Sequence, residues 1–499
     1  MCGIVGMISN GQSVVRKTAT SLAALENRGR HSTGLYSASN GKRTFDMKFR
    51  RPGSASTVFE GMDLESIASE AAIGHVRYAT SGDSLEQDAQ PLRNPKPFMA
   101  ISHNGQIANY LSLQERLVKE KGFGFATNCD VEALLFAFAQ NMIDIKISDP
   151  ETTEGFFNEK IVPALKATMD ESLGGYFAIG AYSTVVLIPG KGLLAFKDPN
   201  GIRPLCYAVR EKEGDIIHAF ASESIALPVW AHYGDAEELK PGEAIFIDYG
   251  LNVYREIVHD LGEKVCPLEA AYFSKGHSMF NGRDIESIRA RLGLALASEY
   301  MDLADRVDCI VPVPKTPIPA ALALAGAWNK PYGGVEANQS IRTFQGNSQS
   351  QREIAAVNKF SFNKQKIYGK RVGVVDDSVV RGTNSRSIID ALYRLGAKEV
   401  HFLSTYPEFI NICPGGVDVA SEKELLLRDN SPEAREAARQ QIHATTLNYL
   451  SLDSMLSSMG LRKDQICGGC IIKEHYPFDM TDYRRYQKVI EQQRSCGRE

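Results

Sequence analysis

Along the first half of the chain the apolar residues come in short runs cut by Gly, Asn and Asp: Ile4 to Ile8, Phe98 to Ser102, Tyr176 to Tyr182 and Ala244 to Ile247. Runs of that length and punctuation predict strands. Between them, Ser13 to Glu26 and Asp130 to Asn141 carry apolar residues three and four apart, which predicts helices with one buried face. The first half therefore reads as sheets layered with helices. From Ile285 the pattern becomes an alternation. It predicts a helix over Ile285 to Leu303, a strand at Cys309 to Pro314, a helix at Pro319 to Trp328, a strand at Arg371 to Val375, a helix at Ser385 to Leu395 and a strand at Glu399 to Ser404. Such alternation predicts an α/β unit with a mostly parallel sheet, whose ligands gather at the carboxyl ends of the strands. The change of pattern falls near Gly250 to Glu263. It divides the chain into residues 2–250, residues 251–475 and a tail of 476–499, in which Asp482 to Arg494 reads as a solvated helix.

A length of 499 residues agrees with this division, since it exceeds what one hydrophobic core ordinarily serves. The formal net charge of -4, with 23% charged residues, removes any electrostatic reason to seek nucleic acid or an anionic membrane. No apolar run approaches the roughly 20 residues that span a bilayer, and the N-terminus lacks the regions of a signal peptide, so the expected location is the cytoplasm. Nine cysteines, at 2, 129, 206, 266, 309, 413, 467, 470 and 496, are too sparse for a disulfide scaffold. Each has to be weighed as nucleophile, ligand or packing.

Cys2 is followed by Gly3, and the small side chain at position 2 permits excision of Met1. That would leave a free α-amine beside the thiol, where it can act as the base of a nucleophilic cysteine. Alone, the pattern suits a structural thiol equally well. Attack on a carboxamide also needs donors for the developing oxyanion, and Asn104 and Gly105, just after the run Phe98 to Ile101, offer an amide and an unhindered N–H. Arg77 and Asp130 can hold the carboxylate and ammonium of an amino-acid substrate. Singly, these residues read as a turn, a surface charge and a helix cap.

The ordered set is more specific: Cys2-Gly3-Ile4-Val5-Gly6, Arg28-Gly29 with Gly34, Gly74 to Thr80, Ala89-Gln90-Pro91, His103-Asn104-Gly105 and Thr127 to Glu132. Asp198 to Pro204 and Ser222-Glu223-Ser224 follow. About 240 residues thus resemble the N-terminal-nucleophile glutamine amidotransferases. The resemblance implies an αββα sandwich in which Cys2 attacks the glutamine amide, Asn104 and Gly105 form the oxyanion hole, and Arg77 and Asp130 bind the substrate.

In the second half, the buried run Arg371 to Val375 ends in Asp376-Asp377 and passes through Ser378 to Ser385 into a helix. Adjacent carboxylates at a strand end can accept bonds from vicinal hydroxyls or hold Mg²⁺, and small residues at a helix start present N–H groups to phosphate. A plain strand-to-helix turn with an acidic cap is the alternative. This stretch is similar to the phosphoribosylpyrophosphate motif of type I phosphoribosyltransferases. With the first half, it makes the chain resemble the amidophosphoribosyltransferase family, which makes 5-phosphoribosylamine as the first step of purine synthesis. The resemblance implies that Asp376 and Asp377 bind ribose hydroxyls and magnesium, with Thr316 as a further magnesium ligand. Ser378, Arg381, Gly382, Thr383 and Ser385 then surround the 5-phosphate. It further implies a homotetramer inhibited by purine nucleotides.

Two stretches depart from the family pattern. An Asp-Ser-Gly-Thr-Pro loop is expected after the strand end at Pro314, and here Lys315 replaces the acid and Pro317 the glycine. The family's mobile loop is matched by Arg342-Thr343-Phe344, but Ile341 stands for a glycine and the spacing of Arg352, Val357 and Lys359 is altered. These departures keep two alternatives open: a paralogue that aminates another phosphosugar, and a ligand-sensing protein with an inactive acceptor site.

Cys467-Gly468-Gly469-Cys470 is a CxxC, compatible with zinc, an iron–sulfur cluster or chance. In the iron–sulfur-containing branch of the family, two further cysteines complete a [4Fe–4S] site, and Cys266 before Tyr272-Phe273 and Cys413 before Gly416 and Asp418 match them. By that resemblance all four hold a structural cluster. Cys129, Cys206, Cys309 and Cys496 match no motif.

Overall fold

The computed structural model describes residues 1–78, 86–147, 150–227, 236–337, 360–419, 421–473 and 475–496. The mobile-loop positions 341–344 and 352–359, with Ala79 and Thr80, lie outside these residues. The strand-like runs of the first half pair into two antiparallel sheets. One contains seven strands in the spatial order Glu237–Glu238, Cys206–Lys212, Asp215–Ala221, Gly3–Ser9, Ala71–Arg77, Ser32–Ala38 and Met47–Pro52. The other orders Val253–Ile257, Glu243–Asp248, Gly192–Lys197, Gly180–Ile188, Phe98–Ile107 and Leu92–Pro95.

The sheets face each other because their central strands are apolar on both sides. Every residue of Gly3–Ser9, Ala71–Arg77 and Gly180–Ile188 is buried. Ile4, Ile73 and Phe220 from one sheet share a core with Val185, Leu193 and Ile245 from the other. The outward side of the first sheet packs under helix Val15–Ala24 through Val15 and Leu22. Helices Asp130–Asp144 and Val162–Met169 cover the second sheet. The result is the expected αββα sandwich.

The second half forms a four-stranded parallel sheet in the order Cys309–Pro312, Arg371–Asp376, Glu399–Ser404 and Thr446–Tyr449. Alternate residues feed two cores, as the period of two along a strand requires. Ile310, Val375 and Leu403 meet the helices Ile285–Glu299 and Ile318–Ala327, while Val311, Val374 and Phe402 meet Thr383–Arg394 and Pro432–Gln441.

Three elements differ from the sequence reading. The strand expected from Tyr176 begins only at Gly180, because Tyr176 is held by the Asn141 side chain, which accepts from its N–H and donates to its carbonyl, both at 3.0 Å. The helix expected to reach Leu303 ends at Glu299 and gives way to a 3₁₀ segment, Met301–Arg306. The terminal helix, Thr481–Cys496, is docked rather than solvated. Tyr483 and Tyr486 are buried, Tyr486 packs its ring against Tyr110, and Asp482 accepts from the Ser112 N–H and hydroxyl at 3.1 Å. The charged composition of the tail hid this tyrosine stripe. Among the described residues, no helix is long and apolar enough to cross a membrane.

Candidate active site

Cys2 stands at the mouth of the central strand Gly3–Ser9, whose Gly3 pairs with Val76 in the neighbouring Ala71–Arg77. That register brings the half-exposed Cys2 thiol to 3.9 Å from the carbonyl oxygen of Tyr78. The Cys2 carbonyl accepts from Arg28 Nε at 2.7 Å. Met1 is buried, and burial lowers its terminal amine to about 6.

The expected oxyanion donors lie on the strand Phe98–Ile107. Asn104 is fully buried, and neither its amide nitrogen nor its oxygen has a partner among the described residues. An unpartnered buried amide is costly unless a ligand completes it. Gly105 has φ +149°, and a Cβ there would lie 1.8 Å from the Ala181 carbonyl oxygen, so the backbone pairing at this point requires glycine.

The two expected substrate-holding charges sit close by. Arg77 is buried with its guanidinium 3.7 Å from Asp88. Asp130 opens the helix Asp130–Asp144, accepts from the Ile107 N–H at 2.7 Å and lies 3.6 Å from His103 Nε2. Asp88 closes the ring, since its carbonyl accepts from the Cys129 thiol at 3.3 Å. Asp88 carried no signal in the sequence.

Behind Cys2 lies a buried network of two arginines and two glutamates. Arg28 binds Glu223 at 3.0 Å and Glu269 at 2.9 Å, Arg203 binds Glu269 at 3.0 Å, and all four side chains are at most 1% exposed. Glu223 also accepts from the Lys275 N–H at 2.9 Å and the Ser278 hydroxyl at 2.8 Å, and Arg203 donates to the Gly415 carbonyl. The network therefore ties the sandwich to the second half. Arg28, Arg203 and Glu223 stand in the sequence blocks noted above without an assigned role. Glu269 stands in none, and only the tertiary structure reveals it.

In the second half, the Val313 N–H donates to Val375 at 2.8 Å, so two parallel strands end side by side. Asp376 and Asp377 emerge there, nearly buried. Burial raises Asp377 to about 6, against the opposing pull of a 3.0 Å hydrogen bond from Ser378 and the charge of Arg289. Gly382, at φ 72°, turns the chain into the helix Thr383–Arg394, and Ser385 is buried in its first turn. Arg381 is held by Glu424 at 2.5 Å and by Asp418 at 3.7 Å. A single cavity of about 950 Å³ is lined from the first half by Met1, Arg28 and Tyr78 and from the second by Lys315, Thr316 and residues 376–385.

The four motif cysteines come from distant segments joined by backbone hydrogen bonds. Cys467 N donates to Val265 at 2.9 Å, next to Cys266, and Ile410 N donates to Cys470 at 2.9 Å, near Cys413. Burial, with Glu269 and Cys413, raises Cys266 to about 11, and burial with the neighbouring thiols pushes Cys467 and Cys470 up further. Arg203 lies near enough to Cys266, Cys413 and Cys467 for its positive charge to be favoured by them. Among the described residues, no three His, Cys, Asp or Glu side chains are arranged to hold a metal ion.

A domain family described as "Glutamine amidotransferase domain" matches residues 75–228. The chain is 31% identical to the amidophosphoribosyltransferase of Methanothermobacter thermautotrophicus, over 100% of this chain and 98% of that one. It is 32% identical to the Escherichia coli amidophosphoribosyltransferase, over 92% and 88% of the two chains. Among solved structures, it is similar to the glutamine phosphoribosylpyrophosphate amidotransferase of Bacillus subtilis complexed with ADP and GMP. The TM-score is 0.79 at 30% identity, covering 96% of this chain and 98% of that one.

Proposed function

The chain belongs to the amidophosphoribosyltransferases, and from that membership we propose how its residues divide the reaction. The enzyme converts phosphoribosylpyrophosphate, glutamine and water to 5-phosphoribosylamine, glutamate and pyrophosphate, the first committed step of purine synthesis. The observation that carries the division of labour is the single cavity, which Met1, Arg28 and Tyr78 line beside Cys2 and which Asp376 and Asp377 line from the other half.

With Met1 removed, the Cys2 thiolate attacks the glutamine carboxamide, and its own α-amine takes and returns the proton. Asn104 Nδ2 and the Gly105 N–H stabilise the oxyanion, a role that suits a buried amide with no partner among the described residues. Arg77 and Asp130 hold the α-carboxylate and α-ammonium of glutamine. Ammonia released at Cys2 passes through this cavity to the acceptor. At the acceptor site Asp376 and Asp377 accept from the ribose hydroxyls, and Ser378, Gly382, Thr383 and Ser385 surround the 5-phosphate at the helix start. Arg381 forms the rim of this loop, fixed by Glu424.

The carboxylates of Asp376 and Asp377 and the hydroxyl of Thr316 are hard oxygen donors that suit Mg²⁺, whose charge offsets that of the pyrophosphate. Cys266, Cys413, Cys467 and Cys470 would suit a [4Fe–4S] cluster by the chemistry of the donor set, four soft thiols from distant segments that lie near one another and near Arg203. Such a cluster would act as a structural tie between the interdomain segment and the C-terminal region. Purine nucleotides are the expected inhibitors and a homotetramer the expected assembly.

The test is made on protein purified without oxygen and supplied with glutamine, Mg²⁺ and phosphoribosylpyrophosphate. Equal release of glutamate and pyrophosphate is expected, and glutamate without pyrophosphate would refute the acceptor assignment. Iron and sulfide in the purified protein are expected for the cluster. A colourless preparation that contains only zinc would overturn it.

A further inference from the structure

The strand that carries Asn104 and Gly105 is met by a loop from the other half of the chain. Backbone from two segments packs against Gly105. One is Ala181, whose carbonyl oxygen leaves no space for a Cβ on Gly105. The other is Gly416: a Cβ there would lie 3.0 Å from the Gly105 carbonyl oxygen, 3.1 Å from its carbonyl carbon and 3.4 Å from its Cα. Gly416 thus rests on the main chain of Gly105, which cannot turn aside as a side chain could. Its φ of +100° is also one that residues with a side chain rarely adopt. Both properties call for glycine.

The loop that carries Gly416 is fixed in several ways. The Cys413 N–H donates to the Val419 carbonyl at 3.0 Å, which closes the loop on itself, and the Cys413 carbonyl accepts from the Tyr483 hydroxyl at 2.8 Å. The Gly415 carbonyl accepts from Arg203 Nε at 2.8 Å. Arg203 is itself held by Glu269 and by the Ser183 hydroxyl, which donates to the Arg203 carbonyl at 2.7 Å. Ser183 pairs with Asn104 across the sheet, and Tyr182 with Gly105. The support of the loop and the strand it supports therefore share buried partners. A donor that meets a transition state has to be held within about 0.5 Å by such surrounding groups.

We propose that Gly416 is a positioning residue of the oxyanion hole, its bare Cα holding the Gly105 main chain where the Gly105 N–H meets the developing charge. The inference rests on the reading of Asn104 and Gly105 given above. Gly416 makes and breaks no bond. As the Cys2 sulfur adds to the carboxamide carbon, the π electron pair moves onto the oxygen, and a displaced Gly105 would meet that charge less well. The intact amide carries no such charge, and glutamine is held by Arg77 and Asp130, so the consequence falls on kcat and not on KM.

Gly416→Ala in the whole protein tests this. Glutamine hydrolysis is expected to fall about tenfold or more in kcat with KM little changed, given that about 1 Å of misplacement costs about 10²-fold. Synthesis from added ammonia should be retained, and with an unaltered melting temperature it shows that the variant is folded. The aldehyde analogue of glutamine, which takes up the Cys2 thiol to form a tetrahedral adduct, should bind more weakly by a similar factor, while glutamate binds as to the wild type. Gly416→Asn adds the same Cβ but tolerates positive φ better, so it should show the same loss and serves if the alanine variant does not fold. Wild-type kcat in either variant would overturn the proposal. So would an equal loss of ammonia-dependent synthesis, or a loss of glutamate affinity as large as that of the aldehyde. Asn104→Ala is measured alongside: wild-type kcat and aldehyde affinity in that variant would instead bring down the oxyanion reading on which the proposal stands.

Discussion

The proposed glutamine site and the proposed acceptor site are built on opposite plans. Around Cys2, the charged groups are already bound within the protein before any substrate arrives, while the Asn104 amide is left open. Asp130 accepts from the Ile107 N–H, Arg77 lies by Asp88, and Arg28 reaches both the Cys2 carbonyl and two glutamates. Around Asp376 the cavity is open, and it is lined by Lys275 and Lys315, whose ammonium groups have no partner among the described residues, and by two nearly buried carboxylates. The first site has invested its organisation in the fold. The second leaves charge for a highly charged ligand and its cation to neutralise. Such a division suits a reaction in which a small neutral amide is cleaved by fixed donors and a polyanion is bound at a strand end.

Four substitutions can break or sharpen this contrast. The largest effect is expected from Cys2→Ala, which should reduce glutamine-dependent synthesis by roughly 10⁴-fold or more, as loss of a nucleophile does. Synthesis from added ammonia should persist in the same variant, and parallel loss of both would show that the two sites are not separable. Next comes Glu269→Gln, which leaves the buried Arg28 and Arg203 with one anion between them. A cost of about 3–5 kcal/mol is expected for a broken buried ion network. Denaturant titration would read it, and an unshifted midpoint would mean that the network is not what organises the glutamine site.

Asn104→Ala should slow glutamine hydrolysis by about 10²–10³-fold, the usual consequence of removing one oxyanion donor. The change belongs in kcat, and a variant altered only in KM would reassign Asn104 to substrate binding. The smallest effect is expected for Arg381→Ala. Its partly exposed pairs with Glu424 and Asp418 should contribute no more than about 1 kcal/mol to stability. A loss of phosphoribosylpyrophosphate affinity beyond a few-fold would show that Arg381 leaves Glu424 to meet the phosphate.

Much of the proposed acceptor site was legible because its chemistry is local. Asp376, Asp377 and the loop through Ser385 are contiguous, and the strand before them and the helix after them follow from periodicity alone. Half of the proposed glutamine site was legible for a different reason: Arg77, Asn104 and Asp130 are scattered but embedded in recognisable blocks. Glu269 and Asp88 were not legible, since a single carboxylate between apolar or polar neighbours looks the same whether it faces water or a buried arginine. The terminal helix was misjudged because its charges outnumber the tyrosines that dock it.

The sequence by itself determined the two-part division, the strand and helix types, the order of the chemical groups and the presence of four cysteines in family positions. These follow from short-range periodicity and from residues whose chemistry is carried by their own side chains. Only the tertiary structure decided that Arg28, Arg203, Glu223 and Glu269 form one buried network. It alone showed that one cavity has walls from both halves and that Lys315 is left without a partner among the described residues. Those properties depend on which distant segments meet and on how much water remains between them, and neither is encoded at any single position.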